Sequence, residues 1–389
     1  MGNPLEGNHG LPKVLAGDPI TSNDNIGAFQ REGTLVSSKP TLPFSTPVKQ
    51  SSSTYVPFST FSHVCHHTIN TMGKEMRDHF VGPMPPKDFL SEFLPNSKIP
   101  GYEAVEFVNP SPFQQTVNAK TELDAYKPFI KNMRPFAPGS HFVDSHSQQD
   151  TQNCSAFTFQ IKPDVCVYSK SPHLSAPPKG CDASKLDIHI EFKWDAGHDP
   201  FCTPYSTPPS SAQCFLRDTN KANDTLGQIT AYTAAQVGSQ DRTHAFSVLI
   251  VCDTTRIIRW DREGAVVTTP INYNSDPSLA EFFSCYAKAL PELRSVNTTI
   301  SSASKVEAKS ARAALKLPGS RRMLKTSVWN TGGDGTRTLI IPAPIALAMA
   351  PIGRGTQACP AYDPVKQCVV VFKDSWHVNF SGILPEGKT

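Results

Sequence analysis

Residues 245–252 read AFSVLIVC, an unbroken run of apolar and small side chains. The run is too short to cross a membrane and long enough for a strand covered on both faces, which demands a layer of helices on each side. Upstream, residues 186–194 (LDIHIEFKW) alternate apolar and polar side chains with the period of a strand. Residues 226–237 between them have the Ala-rich composition of a helix, and 279–290 place Leu279, Phe282, Phe283, Tyr286 and Leu290 at helical spacing. Residues 256–260 and 265–269 predict a hairpin turning at Asp261-Arg262-Glu263-Gly264.

The earlier chain adds a helix over 113–133, with Leu123, Tyr126, Phe129, Ile130 and Met133 inward and Pro128 as a break, and strands at 157–161 and 165–168. Helix, strands, helix, strands, helix is an α/β order: a mixed central sheet flanked by helices, expected over 86–295. Residues 1–85, rich in Gly, Pro, Ser, Thr and Asn in their first two thirds, are expected to be loosely ordered, in keeping with 35 prolines in the chain. A basic and Gly-rich linker is expected over 296–338, and a further region begins at 339.

A formal charge of +3 is too mild to imply nucleic-acid binding by itself. Between 305 and 325, however, Lys305, Lys309, Arg312, Lys316, Arg321, Arg322 and Lys325 face only Glu307, which suits either a solvated basic helix or a phosphate-contacting patch. The ten cysteines show no zinc spacing. With no secretory pattern and no membrane span, a cytoplasmic or nuclear location is expected.

The chemistry concentrates in two short strings. Asp164, in Pro163-Asp164, opens one expected strand, and Glu191 and Lys193 lie two apart near the end of another, so they share a face. If the strands are neighbours, Asp164 and Glu191 offer hard oxygens to Mg²⁺, and Lys193 stands where it can orient a nucleophile or meet charge on a phosphate. Gln228 and Tyr232 share a face of the next helix, and Glu122 on the upstream helix is a further acid. Glu191 and Lys193 equally suit a structural ion pair in a scaffold that cuts nothing and docks partners, and at this point both readings stand.

These residues resemble the PD-(D/E)xK nuclease superfamily, and Gln228 with Tyr232 resembles the Q-x-x-x-Y helix motif of its recombination-nuclease branch. The resemblance implies Asp164, Glu191, Lys193, Gln228 and Tyr232 as catalytic residues, Asp164, Glu191 and Glu122 as Mg²⁺ ligands, and nucleic acid as partner. The longer strings IKPDVCVY, IHIEFKWDAGHDPF, LGQITAYTAAQ and RTHAFSVLIVCDTTRIIRWDREGAVVT, in this order, resemble the region before the kinase core in the fungal-type protein kinase family. PIGRGTQA, VVVFKDSWHV and PEGK resemble the opening of that family's kinase domain, expected over 339–389. This implies ATP held by Gly353, Gly355 and Lys373, with Glu386 pairing Lys373, and protein Ser/Thr as the complete parent's substrate. No H-R-D or D-F-G string follows Lys373 before Thr389, so a truncated member, inactive alone as a kinase, is expected.

Overall fold

The computed structural model describes residues 61–170, 176–202, 215–329, 335–346, 351–352 and 357–374. Helix α1 (Phe61–Met76) leads to β1 (Phe80–Met84); α2 (Pro86–Phe93), the short α3 (Gln114–Val117) and α4 (Glu122–Met133) precede β2 (Ser140–Asp144) and β3 (Val165–Ser169). Then come β4 (Ile188–Lys193), α5 (Asn220–Ser239), β5 (Ala245–Val251), β6 (Thr254–Trp260), β7 (Ala265–Thr268), the two-residue β8 (Ile271–Asn272) and α6 (Ser278–Lys288). These strands form one eight-stranded mixed sheet in the order β1-β7-β6-β5-β4-β3-β2, with β8 beside β6.

Most neighbours run antiparallel, but β1 and β7 are parallel, and so are β4 and β5, from Ile188 opposite Phe246 to Lys193 opposite Val251. A parallel pair needs a crossover, and between β4 and β5 helix α5 supplies it. Alternation along β4 then separates two layers. Ile188, Ile190 and Phe192 enter a core with Val248, Ile250 and the apolar faces of α2, α4 and α6. His189 turns the other way, to Gln236 and Tyr232 of α5.

The expected 113–133 helix is interrupted between α3 and α4, where Thr121 caps the second helix through the Asp124 amide. Pro128 lies inside α4 and does not end it. Leu123, expected inside, is 59% exposed. Residues 157–161 are not a strand; Phe157 and Ile161 anchor an irregular segment in the core under β3, so their alternation records burial without sheet pairing. The hairpin β6–β7 forms as its turn residues predict, and a side chain at Gly264 (φ +155°) would lie 2.1 Å from the His79 carbonyl oxygen.

Two expected loose segments carry structure. Within 1–85, α1 packs along α5, where the helices approach closely enough that a Cβ on Gly227 would sit 2.5 Å from the Ile69 carbonyl oxygen, and β1 pairs with β7. The remainder of that span, residues 1–60, lies outside the described residues. The linker expected over 296–338 holds β9 (Ile300–Ser302), α7 (Lys305–Leu315), β10 (Met323–Trp329) and the start of β11 (Thr336–Pro342). With β12 (Gln357–Asp363) and β13 (Cys368–Asp374) these strands build a second, antiparallel sheet ordered β13-β12-β11-β10-β9. Basic composition masked a helix whose buried face is only Ala308 and Ala311, started by a capping box between Ser304 and Glu307. The boundary expected at 339 falls inside β11.

Candidate functional site

The register of β3 on β4 pairs Val165 with Ile190, and one further step sets Asp164 against Glu191. Both acids are buried, Asp164 at 9% exposure and Glu191 at 3%. The Asp164 carboxylate accepts the Phe192 amide on Oδ2 (2.8 Å) and meets the Tyr126 hydroxyl on Oδ1 (2.8 Å). That hydroxyl also lies 3.0 Å from Glu122 Oε1. One phenolic proton cannot serve two anionic acceptors, so a carboxyl proton has to complete the arrangement. Burial, and then the charge of Glu191, pushes Asp164 up to about 8. Burial and the Asp164 charge likewise raise Glu122.

Lys193 ends β4 and donates to Glu191 Oε1 at 2.5 Å. Burial works to lower its pKa, but the charges of Glu191, Asp164 and Glu122 outweigh it and hold the ammonium above its usual range. The second Glu191 oxygen, Oε2, is buried with no hydrogen-bond partner among the described residues. An anionic oxygen in that condition is costly, and a hydrogen-bond donor or a cation would relieve it.

The acids back an open cleft of about 480 Å³ lined by Glu122, Lys193, Trp194, Asp195, His198, Asp224 and Gln228. Helix α5 forms one wall: Gln228 reaches the cleft, and Tyr232, one turn on, is buried behind it, its pKa raised by burial and by the charges of Glu191 and Asp164. The structure therefore brings together Asp164, Glu191, Lys193, Glu122, Gln228 and Tyr232. Among the described residues, however, no three His, Cys, Asp or Glu side chains form a ready-made metal cage. Mg²⁺ does not require one, because it commonly takes one or two carboxylates and keeps its remaining waters, so Asp164 and Glu191 with the orphaned Oε2 fit it.

Sequence reasoning missed Tyr126, Trp194, His198 and Asp224. Tyr126 stands one helical turn after Glu122 on the same face, a spacing that pairs the two side chains without giving the phenol a role. The others lie in the string WDAGHD, which leaves β4 at its carboxyl end, and in the first turns of α5, and only the fold brings them to one place.

Of the residues expected to hold ATP and to pair with Lys373, Lys373 itself lies exposed on β13 opposite Ala358 of β12; Gly353, Gly355 and Glu386 lie outside the described residues. The 305–325 basics divide in use. Lys305, Lys309 and Lys316 are exposed, whereas Arg312 donates to the Arg321 carbonyl, Arg321 to the Ala343 carbonyl and Lys325 to Glu307.

No family model, curated protein or solved structure matches the chain. Among the described residues no helix is long and apolar enough to cross a membrane.

Proposed function

We propose that the cleft at the end of β4 hydrolyses phosphodiester bonds of nucleic acid with a divalent cation, in the manner of the PD-(D/E)xK superfamily. The observation that carries this reading is the Glu191 carboxylate: buried, bound to Lys193 through one oxygen, orphaned at the other, and close enough to Asp164 to raise its pKa. A purely structural ion pair would be expected to satisfy both oxygens.

Mg²⁺ bound by Asp164 and Glu191, with Glu122 on the cleft wall, would supply an activated water and positive charge for the phosphate. Lys193 offers a permanently charged donor to the phosphate oxygens as their charge grows. Gln228 projects an amide into the same cleft and orients the substrate or water by hydrogen bonding. Tyr126 holds Asp164 and Glu122 at a fixed spacing.

The test is Mg²⁺-dependent cleavage of single- and double-stranded oligonucleotides. Lys193→Ala is expected to lower the rate by about 100-fold or more, by analogy with loss of a transition-state donor. Cleavage that is absent in the wild type, or indifferent to Lys193, returns Glu191 and Lys193 to a structural role.

A second reading concerns the second sheet as the opening of a fungal-type kinase domain. It is favoured by the antiparallel β11–β13 run that places Lys373 on its last strand, after the segment carrying Gly353 and Gly355. On this reading Lys373→Met weakens binding of a fluorescent ATP analogue. Undiminished ATP affinity in Lys373→Met counts against it.

A further inference from the structure

We propose that His198 is the general acid of this cleavage, delivering a proton to the departing ester oxygen; the inference rests on the hydrolytic reading of the cleft. His198 sits on the single turn after β4 and lines the cleft with Lys193, Glu122 and Gln228. Its Nδ1 lies 3.4 Å from Thr225 Oγ1, at the long end for a hydrogen bond.

Thr225 favours one tautomer. It is fully buried on α5, and its hydroxyl donates to the Lys221 carbonyl at 3.1 Å. With that proton committed, Oγ1 is left to accept, so Nδ1 carries the hydrogen. Nε2 is then the nitrogen that gives and takes a proton at the cleft. An imidazole oriented from behind by a committed acceptor is a common arrangement for proton transfer.

The two neighbouring ammonium groups do not duplicate the role. The charged side chains around the imidazole are Glu122 from α4, Lys193 from β4, Asp195 from the turn, and Lys221 and Asp224 from α5. Lys193 is bound to Glu191 and held cationic, and Lys221 pairs with Asp195. The step balances as follows. The water oxygen bonds phosphorus while the bond from phosphorus to the sugar oxygen breaks. The Nε2 proton passes to that departing oxygen, and the proton shed by the water enters solvent in the open cleft, from which the imidazole is reprotonated.

A leaving group that needs no proton separates this role from a structural one. Full-length wild type, His198→Ala and Thr225→Val are assayed with Mg²⁺ on an oligonucleotide and on thymidine 5′-(p-nitrophenyl phosphate), whose nitrophenolate departs unaided. For His198→Ala the expected result is a loss of about 100-fold on the oligonucleotide, the usual scale for one general acid, with the nitrophenyl ester cleaved near the wild-type rate. Thr225→Val loses about tenfold on the oligonucleotide alone, as expected for a residue acting through the imidazole. The retained ester cleavage also reports that both variants are folded. Equal losses on the two substrates, or undiminished oligonucleotide cleavage by His198→Ala, overturn the assignment while leaving the hydrolytic reading in place. A wild type that cleaves neither substrate overturns both.

Discussion

Tyr126 is the residue on which the acids of the cleft depend. Its hydroxyl touches Asp164 and Glu122, and its ring packs edge-on against Phe192 at 5.0 Å between centroids. Tyr126→Phe keeps the ring and removes the only proton the phenol contributes, leaving Asp164 Oδ1 buried without its donor. The expected cost is about 1–3 kcal/mol, read from the urea midpoint. Above pH 8, where Asp164 is ionised, double replacement with Asp164→Asn recovers part of it, because an amide does not carry the charge that the phenol moderates. At this scale Asp164, Glu191 and Lys193 were legible, because side chains two apart on a strand must share a side. Tyr126 and His198 were not, since their meaning comes from what folds against them: a phenol one turn from Glu122 becomes informative only when Asp164 arrives from another strand.

Among elements, α5 carries the most constraint. It connects two parallel strands, presents Gln228 to the cleft, seats Thr225 behind His198, and receives α1 at Gly227. A methyl group at Gly227 would meet the Ile69 backbone carbonyl at 2.5 Å, and a carbonyl inside a helix cannot swing aside. Gly227→Ala is expected to cost about 1–3 kcal/mol as an overpacking change, measured by chemical denaturation, and, on the proposed hydrolytic reading, to depress cleavage by displacing the neighbouring Gln228. The equivalent change at Gly319, where a Cβ meets nothing, serves as the control. Long apolar runs and the Ala-rich helix announced these elements in the sequence. The stretch 296–338 did not, because α7 hides its packing in two alanines and β10 buries Met323, Leu324 and Thr326 among charged residues.

Across the whole molecule, the main sheet and the second sheet meet at a polar groove lined by Lys185, Gln240, Asp241, Arg242, Arg322 and Leu324 among others. Burial pushes Asp241 up to about 6, against the pull of Arg322. Its folded pKa lies above the unfolded value, so the protonated form is the one folding favours. This contribution is present at pH 4 and is lost as the pH rises toward 6 and beyond. Asp241→Asn, neutral throughout, is expected to match the wild type near pH 4 and to exceed it by about 2–3 kcal/mol above pH 7, in paired denaturation curves. Identical curves at both pH values would mean that the aspartate is solvated at this junction.

The parallel pairing of β4 with β5 also has a place in time. Strands β2, β3 and β4 can zip together as successive antiparallel neighbours, but β5 reaches β4 only after the intervening chain, α5 included, has been laid across the sheet. During synthesis the two acids can thus be gathered before the wall bearing Gln228 and Thr225 emerges, and every strand of the second sheet, from β9 to β13, is made after the cleft's own elements.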